Sequence, residues 1–244
     1  MLRILRISVA TLSVYLLAYP LTAVGVLLGC LAALVRWRSF IRVGTVVWAH
    51  LLFLLAGRRL HLEKRARTEP GRAYLVVSNH ASMFDVPVLM AAVPGITFMG
   101  RDYLTRIPVF GLFLRVVHYI PIDTGSARSA RAALDRAALE IRRGSTVGIF
   151  AEGTRTKDGR VQPLKRGFVH VLRQSGADLL PVYVRGTFTL KPKGTLLIDP
   201  RERIGAELGA AVPHALLVAQ SDEEIMASVR SILQRMGESR HGKI

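Results

Sequence analysis

From Ile7 to Val35 the chain carries no charged residue. Such a run is long enough to cross the hydrocarbon core of a bilayer once, or to fold back as two shorter helices around Pro20 and Gly25. A second apolar stretch, residues 43–57, has His50 near its middle and is too short for an ordinary span. After about Leu60 the pattern changes to short β-rich runs alternating with helical stretches. Strands are predicted at 73–78, 96–99, 119–122, 146–151, 179–185 and 195–198. Between the third and fourth, residues 127–143 place Ala130, Leu134, Ala137 and Ile141 on one helical face, with Arg131, Asp135 and Arg142 elsewhere, and Gly144 ends the helix. Further helices are expected over 167–174 and from Ser221, where Ser221 and Glu224 form a capping box ahead of the stripe Ile225, Val229, Ile232 and Leu233.

Near-continuous apolar strands alternating with helices indicate an α/β fold: a mostly parallel sheet flanked by helices, preceded by an N-terminal membrane-associated helical hairpin. The chain accordingly divides into membrane-anchoring helices over 1–59 and a second domain over 60–244. In such sheets ligands bind beyond the carboxyl ends of the strands. No internal repeat or low-complexity tract is present, and Asp158-Gly159 predicts a turn between Thr156 and Val161.

Charge sharpens the membrane reading. Lys and Arg total 34 against 17 acidic residues, a net charge of +17, and mean hydropathy is +0.32. A field of this sign favours nucleic acid or anionic headgroups. The cations sit at the borders of the apolar runs: Arg3, Arg6, Arg36, Arg38, Arg42, Arg58, Arg59, Lys64, Arg65 and Arg67. Nucleic-acid binding would instead interleave charge with exposed aromatics, which are only 7% of the chain, so a membrane partner is preferred and nucleic acid is not expected. Because both apolar runs have basic flanks, a re-entrant or interfacial hairpin on the cytoplasmic face, the inner membrane in a bacterium, is favoured over a single crossing. The single cysteine, Cys30, forms no intrachain disulfide and supplies no metal-ligand set; Leu27-Leu28-Gly29-Cys30 resembles a lipoprotein processing site, but the apolar run continues past it, which indicates a retained anchor.

Two of the predicted strands end in reactive side chains. Asn79-His80-Ala81-Ser82-Met83-Phe84-Asp85 follows the first, and Phe150-Ala151-Glu152-Gly153-Thr154-Arg155 continues from the end of the fourth, after its apolar run 146–149. On one continuous helix His80 and Asp85 would stand roughly 140° apart, so their meeting requires a bend. If the strand ends near Ser78 and a helix starts near Ser82, Asp85 lies in the first helical turn and reaches back to an imidazole in the bend. The carboxylate then orients a general base.

Four ordered blocks over roughly residues 70 to 190 resemble the glycerolipid acyltransferase family, most closely the 1-acylglycerol-3-phosphate (lysophosphatidic acid) acyltransferases. They are Asn79-His80-x4-Asp85; Gly100-Arg101-x2-Leu104-x3-Pro108-x2-Gly111 leading to Ile120-Pro121-Ile122-Asp123; Phe150-x-Glu152-Gly153-Thr154-Arg155 with Lys165-Arg166-Gly167 downstream; and Leu180-Pro181-Val182. The resemblance implies transfer of a fatty acyl group from acyl-CoA or acyl carrier protein to the free sn-2 hydroxyl of 1-acylglycerol-3-phosphate, giving phosphatidic acid, with 60–244 as the catalytic domain. It implies His80 and Asp85 as the catalytic pair, and Arg101, Glu152, Gly153, Thr154 and Arg155 as the acceptor-phosphate pocket. Arginine forks suit phosphate. No metal or cofactor is expected beyond the thioester co-substrate, since an activated thioester needs only a base and alignment. Lysophospholipid, acyl thioester, membrane lipids and acyl carrier protein are the expected partners. Lys165 and Arg166 are less clearly part of the pocket, His118 and His170 match no catalytic position, and Asp123 reads as a turn residue.

Ala81 and Ala151 depart from the usual family residues, and Thr124 stands where relatives often carry arginine. The acceptor headgroup therefore stays open: another lysolipid such as lyso-ornithine lipid is an alternative, as is a hydrolase in which the same base activates water.

Overall fold

The uncharged N-terminal run folds as one rod. In the computed structural model, which describes residues 2–64, 68–69 and 71–238, α1 (Leu2–Ser13), a five-residue π-helical insert (Val14–Ala18) and α2 (Tyr19–Leu34) are continuous over 33 residues. Of the two courses open to this run, the fold-back around Pro20 and Gly25 does not occur. Pro20 falls in the first turn of α2, directly after the wider π turn, where its missing N–H costs no regular helical bond. The reversal comes at residues 35–37, with Arg36 at φ 55°. From there α3 (Arg38–Leu55) returns along α2, and Trp48 Nε1–H donates to Thr22 Oγ1 at 2.9 Å. The hairpin therefore joins the two apolar stretches and is not made within the first. Both of its arms are long and apolar enough to cross a membrane. The flanking cations Arg65 and Arg67 lie outside the described residues.

Seven strands follow: β1 (Leu60–Lys64), β2 (Tyr74–Ser78), β3 (Thr97–Arg101), β4 (Ile120–Ile122), β5 (Val147–Phe150), β6 (Asp178–Arg185) and β7 (Ile204–Leu208). They form one sheet in the order β1-β7-β6-β2-β5-β3-β4, parallel throughout except for β6 against β7. The connecting helices are α4 (Asp85–Ala92), α5 (Phe110–Val116), α6 (Ala127–Arg142), α7 (Gly167–Ser175), α8 (Thr187–Leu190), α9 (His214–Val218) and α10 (Asp222–Glu238). All five residues of β2 are buried because both faces of the sheet are covered. Val76 packs in the core shared with α3, α4 and α5, whereas Leu75 and Val77 pack with α6, α7 and α10. The hairpin belongs to the first core: Phe53 of α3 is fully buried, with its ring 5.9 Å from that of Phe84 just ahead of α4.

The expected strand at 195–198 is an irregular loop. Its backbone bonds are local or run to a side chain: Thr195 N–H donates to the Pro192 carbonyl at 3.4 Å and Ile198 N–H to Thr11 Oγ1 of α1 at 3.0 Å. Two strands that hydrophobic pattern did not mark, β1 and β7, take the far edge. β1 is rich in charge and β7 contains Gly205 and Glu207; pairing makes them strands, β7 against β6 and β1 against β7. The other five predicted strands and the helices at α6, α7 and α10 are present within a few residues of their expected ends. At α10 the capping box forms as expected, Ser221 N–H donating to Glu224 at 2.8 Å and Glu224 N–H to Ser221 Oγ at 3.3 Å.

Candidate active site

β2 stops because Asn79 takes over its pairing with a side chain. The Asn79 amide donates to the Val184 carbonyl at 2.9 Å and accepts from the Val184 N–H at 2.7 Å, so β6 stays satisfied while the main chain turns away. His80 follows in the bend. Its N–H donates to Glu152 Oε1 at 2.9 Å, and its carbonyl accepts from Thr156 N–H at 2.8 Å, which ties the bend to the segment after β5. β2 and β5 are adjacent, with Ser78 paired to Phe150, so neighbouring strand ends deliver His80 and Glu152 side by side.

The ring of His80 is held from two directions. Nδ1 lies 2.8 Å from Asp85 Oδ2, and the Phe150 ring stacks on it at 4.0 Å and 17°. Asp85 is completely buried and begins α4, where the helix dipole favours a carboxylate. The same Oδ2 accepts from Ala81 N–H at 2.6 Å and Ser82 N–H at 2.8 Å. An oxygen that receives two backbone N–H groups is the acceptor for the ring as well, so Nδ1 carries the proton and Nε2 keeps its lone pair. The imidazole is 19% exposed, enough for a reactant to reach it. Helix α4 starts at Asp85 and not at Ser82; Ser82 instead accepts from Asp85 N–H and sends its hydroxyl to the Lys191 carbonyl at 2.7 Å.

Glu152 is 3% exposed. Burial pushes its carboxyl up to about 7; the charges of Asp85 and Asp158 act in the same direction, against backbone hydrogen bonds from His80 and Gln162. Gly153 adopts φ +70°, so this turn favours glycine for its conformation; a Cβ there would lie 2.9 Å from the flexible end of the Lys165 side chain, which can move aside. Thr154 is exposed and Arg155 half-buried. Lys191, nearly buried, has its amine pushed below the ordinary range, first by burial and then by the Arg155 charge beside it.

The structure thus brings His80, Asp85 and Glu152 into direct hydrogen-bond contact, with Gly153 to Arg155 in the adjoining loop. Arg101 ends β3, one strand further from β2 than β5, and is exposed. Arg166 points away from the site and pairs with Asp222 at 2.5 Å, while His170 bonds Asp135 at 2.6 Å between α7 and α6. Asp123 accepts from Gly125 N–H at 2.8 Å, a turn role. Among the described residues no three His, Cys, Asp or Glu side chains converge as a metal site. Sequence reasoning missed the bracing roles of Asn79 and Phe150 and the approach of Lys191. Asn79 and Phe150 lie within the recognised motifs, but their contacts depend on strand order, and nothing in the local sequence around Lys191 marks it.

Known proteins share this architecture. A crystal structure of the 1-acyl-sn-glycerophosphate (LPA) acyltransferase from Thermotoga maritima superposes with a TM-score of 0.84, covering 99% of both chains at 23% sequence identity, a likeness of fold. A 1-acyl-sn-glycerol-3-phosphate acyltransferase of Limnanthes douglasii is 30% identical over 159 residues, 64% of this chain and 54% of the relative. One from Haemophilus influenzae is 26% identical over 191 residues, 77% of this chain and 76% of the relative. The chain spans about half the length of the plant relatives it matches. The family model for acyltransferases matches residues 59–185, more than half of the chain, and this protein belongs to the acyltransferase family.

Proposed function

We propose that the protein transfers a fatty acyl group from acyl-CoA or acyl carrier protein to the sn-2 hydroxyl of 1-acylglycerol-3-phosphate, giving phosphatidic acid, while attached to the cytoplasmic face of a membrane. The observation that carries this reading is the His80 imidazole, fixed through Nδ1 by buried Asp85 and open at Nε2, beside the glycine turn that leads to Arg155. The relatives named above support the acceptor.

Nε2 takes the hydroxyl proton as the acceptor oxygen attacks the thioester carbonyl, and Asp85 stabilises the imidazolium that forms. The tetrahedral intermediate then expels the thiolate, which receives the proton from His80. Base catalysis of this kind contributes about 10²–10⁴-fold, and alignment of the two substrates supplies up to roughly 7–11 kcal/mol more. Arg101 and Arg155 would grip the acceptor phosphate, with Glu152, Gly153 and Thr154 shaping the loop around it.

The helical hairpin supports the membrane reading. Its buried side faces the sheet, most of the large apolar side chains of α1 and α2 remain exposed, and cations flank both arms. Two arms lying along the domain suit insertion in one leaflet better than a crossing.

Mass spectrometry of lipid products tests the assignment. Purified enzyme supplied with acyl thioesters and a panel of lysolipids should form phosphatidic acid from 1-acylglycerol-3-phosphate, and His80→Ala should cut turnover by about 10²–10⁴-fold without loss of membrane attachment. Acylation of a different lysolipid alone would overturn the acceptor, and release of free fatty acid regardless of acceptor would mean hydrolysis.

A further inference from the structure

Between α8 and β7 the chain leaves the sheet in a loop whose tip carries two adjacent leucines, Leu196 at 74% and Leu197 at 59% exposed. Single exposed leucines are ordinary, but a neighbouring pair on a braced loop is not. The loop is closed at its base. Asp199 N–H donates to the Leu190 carbonyl at 2.9 Å, Thr195 Oγ1–H to the Pro192 carbonyl at 3.1 Å, and the Lys191 amine to the Thr195 carbonyl. It is also clamped to α1: Ile198 N–H donates to Thr11 Oγ1 at 3.0 Å, and Arg3 pairs with Asp199 at 3.1 Å. The tip is therefore held beside a helix whose own outer face, with Leu5, Val9 and Leu12, is apolar and exposed.

We propose that Leu196 and Leu197 form a finger that enters the hydrocarbon of the membrane holding α1 to α3, an inference that rests on the membrane attachment proposed above. The occupant of this surface is lipid because the finger is continuous with the exposed apolar face of α1. Lys193 and Arg201, both exposed on the shoulders of the finger, are placed for anionic headgroups while the leucines lie deeper. The base of the finger also reaches the reactive pair. Ser82, whose N–H binds Asp85, donates its hydroxyl to the Lys191 carbonyl where the loop begins. Insertion of the finger thus sets the height of the His80 bend relative to the bilayer, so that a hydroxyl on an embedded acceptor comes to the base.

Single-cysteine variants test this. In a Cys30→Ser background, Leu27→Cys in α2, Leu196→Cys in the finger and Gln234→Cys in α10 are each labelled with an environment-sensitive fluorophore. They are then reconstituted into phosphatidylethanolamine/phosphatidylglycerol vesicles containing lipid with a nitroxide on the acyl chain. Labels at 27 and 196 should be quenched and the label at 234 should not. Quenching at 27 without quenching at 196, as expected if the leucines meet a protein partner, overturns the finger and leaves the anchor standing. Absence of quenching at both overturns the membrane reading together with the finger. A combined Leu196→Asp, Leu197→Asp variant supplies the functional arm. Turnover of a vesicle-embedded lysolipid should fall about tenfold while turnover of a short-chain, water-dissolved lysolipid changes by less than about twofold. An equal loss on both substrates would assign the leucines to folding, and no loss on either would remove them from membrane contact; each result overturns the proposal.

Discussion

Asp85 Oδ2 does three things with one atom: it accepts from Ala81 N–H, from Ser82 N–H and from the His80 ring. The first two bonds bend the chain, and the third orients the base. Asp85→Asn keeps the shape and an acceptor oxygen but loses the charge that stabilises imidazolium. Its kcat should fall by about 10²–10⁴-fold with KM little changed and with a normal circular-dichroism spectrum. A variant retaining near-full kcat would show that the charge plays no part. The pairing of His80 with Asp85 was legible from the bend that their spacing requires together with the companion motifs, because the interaction is local. The bond from His80 N–H to Glu152 was not, since residues 72 positions apart meet only through the pairing of β2 with β5.

At the scale of elements, the side chain of Asn79 is a strand residue in all but backbone. It prolongs β2 against β6, and so decides where the chain leaves the sheet and where His80 begins its turn. Asn79→Ala would leave the buried N–H and C=O of Val184 without partners, at a cost of about 2–4 kcal/mol. Urea denaturation should register that loss, together with reduced activity as the bend loosens; an unchanged midpoint would mean that water replaces the amide without penalty. Strands β2 to β6 announced themselves through apolar runs because helices cover both sheet faces. β1 and β7 did not, because a glycine-containing strand and the charged edge strand beside it acquire strand character only from pairing, β7 with β6 and β1 with β7. The loop at 195–198 erred in the opposite direction: its apolar residues suggested burial, but two of the three, Leu196 and Leu197, project outward. Pro20 likewise looked like a break in the first apolar run, yet the π turn before it lets the helix continue.

For the molecule as a whole, Glu152 links the site to stability. Its carboxyl rises from 4.5 to about 7 in the fold, chiefly through burial, so between those values the folded chain holds a proton that the unfolded chain has released. The contribution is fully present below the ordinary value and is lost as pH rises through 7. Glu152→Gln removes that proton from the balance. Between pH 4.5 and 8 the melting temperature of the wild type should fall by roughly 5 °C more than that of the variant. Parallel curves for the two proteins would reject a raised carboxyl. The chain by itself determined the α/β class, the apolar N-terminal run, the four ordered motifs and the His80–Asp85 pair, because each rests on periodicity or on residues close together in the chain. Tertiary structure decided which strands are neighbours, and with that the approach of Glu152, the Phe150 stack, the Asn79 bridge and the clamp between α1 and the loop before β7. Those contacts join segments far apart in the chain, and only burial in a common core or pairing in a common sheet brings such segments within bonding distance.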